Sequence, residues 1–172
     1  MQRVRKTILV LVGLLLLLAL PPFSSTALAE ESPYQTSDGK TYDDFYGAVW
    51  NVPANGTITL LKDNTGMCWL ERDDANFTVD LNGHTLSVGF GFNKFGIHCV
   101  KGTVTFKNGT IVSNTNDTDP IRCEGAGGTI ILGQNLKVEA RTSAILADGG
   151  GKVIVDGSEV VCSSSVYNAV LS

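Results

Sequence analysis

The chain has 172 residues, 43% of them hydrophobic, which is enough apolar material for one folded core and too much for a disordered segment. Its 17 acidic side chains outnumber 13 basic ones, giving a formal charge of −4, and that balance disfavours nucleic acid or an anionic membrane surface as a partner.

The first 29 residues read as an address rather than as part of the fold. Arg3, Arg5 and Lys6 precede an apolar run from Ile8 to Leu20, Pro21 and Pro22 end it, and Ala27-Leu28-Ala29 offers a small-x-small cleavage site. At about 1.5 Å per residue the run reaches roughly 20 Å, short of the roughly 30 Å hydrocarbon layer, so a signal peptide is expected and a membrane span is not. Cleavage would remove three of the 13 basic residues and no acid, leaving a secreted or cell-surface chain of net charge −7.

Residues 30–40 are polar and turn-rich and read as a linker. Residues 41–55 then predict a capping helix. Thr41-x-x-Asp44 resembles a capping box, and Tyr42, Phe45, Tyr46 and Val49 follow the i, i+3, i+4, i+7 spacing of an amphipathic helix. Its apolar face would close the open end of the repeat region that occupies the rest of the chain.

That repeat spans residues 56–172. Ile97-His98-Cys99, Ile121-Arg122-Cys123, Ile145-Leu146-Ala147 and Ala169-Val170-Leu171 recur every 24 residues, each with apolar residues first and third. Period 2 within a triplet indicates a strand, and a fixed period between triplets indicates a chain returning to the same place once per turn. A second strand reads Val104 with Phe106, Ile130 with Leu132, and Val153 with Val155 as inward pairs. A third reads Leu86 with Val88, Leu136 with Val138, and Val160 with Cys162. Between the second and third strands Asn82, Asn108 and Asn135 can occupy one corner, because asparagine tolerates the left-handed backbone of a sharp turn and its amide can bond the coil beside it. The expected fold class is all-β: a right-handed parallel β-helix, a solenoid of three short strands and about 24 residues per coil with a short N-terminal capping helix.

Three stretches carry a family resemblance: Gly56-Thr-Ile-Thr-Leu-Leu-Lys-Asp63, Val79-Asp-Leu-Asn-Gly-His-Thr-Leu86 and Gly102-Thr-Val-Thr-Phe-Lys-Asn-Gly-Thr-Ile111. Over residues 41–172 the chain resembles the pectin-lyase-like β-helices, in particular the repeat proteins of bacterial cell surfaces. That resemblance implies the fold, whereas the same fold carries lyases, hydrolases, adhesins and passive stalks. Its pectate-lyase members bind calcium with clustered carboxylates and abstract a proton with a basic residue. Asp117 and Asp119 offer oxygens for Ca2+, and Arg122 projects outward three residues later, but the family's catalytic motif does not map onto this chain. No catalytic, cofactor-binding or metal residues are therefore assigned.

The remaining candidates are structural or lie on the surface. Cys99 and Cys123 share a position on adjacent coils, within range of a structural disulfide; the competing reading is free thiols packed as small hydrophobes. His84 reads as a cap on backbone groups after the Asn82-Gly83 turn. His98 stacks over Arg122 on the outer face. Thr105, Ile131 and Ile154 should stack outward as a contact face for glycan or protein. The chain stops as the first strand of another coil begins, which suggests truncation or end-to-end association through an uncapped coil. The expected function is a non-catalytic, adhesin-like or structural surface module; the alternative is a fragment of a polysaccharide lyase or glycoside hydrolase.

Overall fold

The computed structural model describes residues 31–89, 95–113, 119–141, 143–163 and 170–171, and the region 32–172 forms one compact unit. The expected signal segment and Asp117 lie outside the described residues.

The unit is a parallel β-helix of about four coils. Its first face stacks the N-terminal halves of β5 (Cys68–Asp80), β7 (Phe95–Lys107) and β9 (Asp119–Leu132), followed by β11 (Ile145–Asp148) and β14 (Val170–Leu171). The second face stacks β3 (Thr57–Leu60), the C-terminal halves of β5, β7 and β9, and then β12 (Lys152–Val155). The third stacks β4 (Asn64–Thr65), β6 (Thr85–Ser87), β8 (Gly109–Ser113), β10 (Leu136–Ala140) and β13 (Glu159–Cys162). Every pairing between coils is parallel, so the backbone donors and acceptors of the inner coils are satisfied by the coils on either side.

Two details differ from the sequence expectation. In β5, β7 and β9 the first and second strands merge into one element of 13 or 14 residues that bends between faces. The bend of β7 follows a register irregularity at Cys99/Lys101 and passes through Gly102 at φ 83°, where an added Cβ would lie 2.6 Å from the Ala75 Cβ; only glycine fits. The repeat is also less uniform. Cys68, Ile97, Ile121, Ile145 and Val170 share one column, so the 24-residue period holds from Ile97 to Ile145 alone. Val170, not Ala169, pairs with Ile145, because the last coil is one residue longer.

The core consists of the inward columns. Ile97, Ile121 and Ile145 line the first face; Val104 and Ile130, with Phe106 and Leu132, line the second; Leu86, Ile111 and Val138 line the third. All are buried, and each such side chain contributes about 1.5–3 kcal/mol relative to exposure. In β12 the inward columns thin out: Val153 is half-buried and Val155 is 50% exposed, since no described strand continues their columns.

The N-terminal region is more ordered than a linker. Within the stretch read as linker, β1 (Tyr34–Thr36) pairs antiparallel with β3, and β2 (Thr41–Tyr42), at the start of the stretch read as capping helix, pairs antiparallel with β1. These two strands cover the edge of the second face. Alternation explains the miss: Tyr34 and Thr36 are buried while Gln35 is exposed, a pattern too short to stand out among turn residues. The helix α1 spans Phe45–Asn51, and its N-cap is Asp44, whose carboxylate accepts from the Gly47 N–H at 2.6 Å. Thr41 belongs to β2 and takes no part in the cap. The buried face is Phe45, Ala48, Val49 and Val52, with Phe45 against Tyr34 at 5.5 Å between rings. Moving the start to Asp44 rotates the pattern, so Tyr46 is 54% exposed instead of inward.

Candidate functional site

The corner between the second and third faces is built by backbone chemistry. Asn82, Asn108 and Asn135 sit there at φ between 51° and 58°, in the left-handed region that Asn55, ahead of β3, also adopts. The side chains of the three corner asparagines form a mixed ladder. Asn135 Nδ2 donates to Asn108 Oδ1 at 3.4 Å, and Asn108 Nδ2 donates to both Asp80 oxygens at 3.1 Å. The backbone N–H of Asn82 donates to Asp80 Oδ1 at 2.9 Å, while its own amide reaches Leu60 O. A carboxylate thus stands between Asn82 and Asn108. Burial acts to raise Asp80's carboxyl, but the bonds from Asn82, Asn108 and Lys107 outweigh it and hold the group below its usual range. An open groove of about 600 Å³ runs past Asn108, Asn135, Lys137 and Glu159, but its asparagine amides are engaged in the corner.

The four cysteines are free thiols, so the disulfide expected between Cys99 and Cys123 is not formed. The two are register partners and fully buried. Partners on adjacent parallel strands point the same way about 4.8 Å apart, whereas a disulfide holds its Cβ atoms at about 3.8 Å. Instead the Cys99 thiol donates to the Lys101 carbonyl at 3.5 Å. The neighbouring Cys123 sulfur and burial keep the proton on Cys99, and the Cys99 thiol holds Cys123 below the usual thiol range. Cys68, on the coil below, is pushed up to about 12 by burial.

Thr105, Ile131 and Ile154 do share one outward column, continued by Thr78 and Thr57. Ile154 is 47% exposed, while Thr105 and Ile131 are half-buried. The row is flat and carries no charged group, so it offers contact area without direction.

The first face brings together more chemistry. Its outward column reads Trp69, His98, Arg122 and Leu146 on β5, β7, β9 and β11. Trp69 is 51% exposed and packs on the His98 ring with centroids 4.2 Å apart at 60°. His98 is only 3% exposed, and its Nε2 lies 3.1 Å from Glu124 Oε2. Arg122 Nη2 reaches the same Glu124 oxygen at 3.1 Å and Asp148 Oδ2 at 3.2 Å. Burial, then the Arg122 charge, lowers the His98 pKa below its ordinary value despite Glu124. The imidazole is therefore neutral at pH 7 and donates its Nε2 proton to Glu124. The sequence reading placed His98 over Arg122 but missed both carboxylates and the indole. Glu124 and Asp148 lie two residues beyond the column, where the strands continue toward the bend, and Trp69 precedes the regular 24-residue spacing.

His84 turns to a side chain, not to backbone: its Nδ1 lies 3.2 Å from Asp63 Oδ1, which also accepts from the Thr85 N–H. Of the two calcium candidates, only Asp119 lies among the described residues. Burial raises the Asp119 carboxyl, and among the described residues no group of three His, Cys, Asp or Glu side chains is arranged for a metal ion. Among the described residues no helix is long and apolar enough to cross a membrane. No family model, curated protein or solved structure matches this chain.

Proposed function

We propose that this protein is a non-catalytic module of the secreted or cell-surface type that holds a glycan along the first face of its β-helix. The observation that carries this reading is the row Trp69, His98 and Arg122 with Glu124 and Asp148. A half-exposed indole supplies an apolar platform for the ring faces of a sugar. Beside it, Arg122 and the 44% exposed carboxylate of Glu124 supply charge-assisted hydrogen bonds for hydroxyls, with Asp148 holding Arg122 in place. At the strand spacing, Trp69 to Leu146 covers about 14 Å, room for a short run of sugar units. The face beside it, with Thr105, Ile131 and Ile154, adds flat area but nothing that fixes orientation.

An enzymatic reading, as a polysaccharide lyase or hydrolase of the pectin-lyase-like type, draws on the same carboxylates. Against it, Glu124 and Asp148 share one guanidinium nitrogen, and Arg122 is engaged by both, so none stands ready as an isolated base or acid.

The test is binding of immobilised polysaccharides by the purified chain and by Trp69→Ala. Saturable binding without product release, weakened at least tenfold by Trp69→Ala with an unchanged melting temperature, supports the module. Release of reducing or unsaturated sugars supports the enzyme, and the absence of any binding ends both readings.

A further inference from the structure

The charges around this row select among glycans. Beside this row the described cations Arg72, Lys101 and Arg122 are each already matched, while Arg141 ahead of β11 and Lys152 at the start of β12 are exposed farther along. Arg72 Nε lies 3.2 Å from Asp74, Lys101 Nζ lies 3.5 Å from Asp73, and Arg122 holds Glu124 and Asp148 together. Those four carboxylates and the exposed Glu71 outnumber the three cations, while His98 stays neutral.

A polyuronate brings one carboxylate per sugar. To bind here it would have to displace an existing carboxylate from a guanidinium or ammonium while facing the surplus acids. Like charges in juxtaposition oppose binding, and desolvating them adds to that cost. A cationic ligand meets the opposite situation. The side chains of Asp73 and Asp74 are 87% and 71% exposed and that of Glu124 is 44% exposed, so these three present lone pairs to solvent, whereas Asp148 is 41% exposed overall with its Oδ1 buried. An ammonium group near Trp69 also gains from the indole face.

Resting on the glycan reading, we propose that the polymer held here is an amino-sugar polymer with free ammonium groups, and that polyuronates are disfavoured. Trp69 takes the ring face of one sugar, and the ammonium groups of its neighbours meet Glu124 and Asp148 above it or Asp73 and Asp74 beside it. Each exposed ion pair is worth only a few-fold in affinity, so two together give about tenfold, and salt screens the gain.

The experiment measures affinities of the purified chain for three size-matched probes by calorimetry, at low and high salt. The probes are β-1,4-linked glucosamine oligomers, their N-acetylated counterparts and oligogalacturonate. The expected order places glucosamine oligomers first by about tenfold over the acetylated ones at low salt, narrowing at high salt, with oligogalacturonate weakest. The double variant Glu124→Gln/Asp148→Asn frees Arg122, so it should lose the preference for amines and gain affinity for oligogalacturonate, with a melting curve showing that it is folded. Equal, salt-independent affinity for free and acetylated oligomers, or tightest binding of oligogalacturonate, overturns the amine assignment and leaves the glycan reading standing. Failure of all three probes counts against the glycan reading itself. An oligolysine peptide that binds as tightly as the glucosamine oligomers, and equally well to Trp69→Ala, would overturn the sugar in favour of a basic peptide.

Discussion

Replacing Asn108 tests how the β-helix turns its corner, because two separable costs meet at that residue. Its backbone sits at φ 58°, and its amide donates to both oxygens of Asp80 while its oxygen accepts from Asn135. Alanine in the left-handed region costs about 1–2 kcal/mol. Loss of the charge-assisted bonds to Asp80 adds about 1.5–3 kcal/mol, because the carboxylate is left with fewer donors. Glycine removes the same bonds but not the backbone freedom, so its cost is the hydrogen-bond share plus about 0.5–1 kcal/mol of chain entropy. Asn108→Ala should therefore destabilise by about 2.5–5 kcal/mol and Asn108→Gly by about 2–4 kcal/mol, the alanine variant the more. Urea unfolding followed by circular dichroism measures both, and an unchanged m-value would show that the unfolded reference is the same. Asn108→Gly with wild-type stability would refute the role given to the side chain. Equal losses for glycine and alanine would refute the claim of backbone strain.

Ile130 is fully buried between Val104 and Val153 in its column, so Ile130→Ala should cost about 2–5 kcal/mol in the same assay, and Ile130→Asp should abolish cooperative melting. Four thiols should react with a thiol reagent in denaturant without prior reduction, and reduction should leave the intact mass unchanged; a mass increase of about 2 Da would restore the Cys99–Cys123 disulfide. His98 has a folded pKa below its unfolded value of about 6.5, so the unfolded chain binds more protons as pH falls through that value. Its contribution is complete above about pH 6.5 and is lost on acidification toward the folded pKa. Thermal melts from pH 7.5 to 5 should show a decline that His98→Gln reduces, and an identical decline in the variant would remove His98 as its source.

The sequence by itself determined the coil. Inward residues must be apolar on every turn, so Ile97, Ile121 and Ile145 show a spacing that no surface pressure erases, and Asn82, Asn108 and Asn135 mark a corner whose backbone few other residues adopt. It did not determine how the coils differ. The extra residues before β7, the bend at Gly102 and the shifted pairing of Val170 are settled by which backbone groups find partners across coils, and that depends on chain far away in sequence. The candidate face shows the same division. Outward positions tolerate most residues, so neither Trp69 nor Glu124 nor Asp148 stands out along the chain. Only the stacking of β5, β7, β9 and β11 places a tryptophan on a histidine and two carboxylates on one arginine. The cysteines make the point from inside the core: spacing put Cys99 opposite Cys123, and the parallel direction of their strands keeps the two sulfurs as thiols.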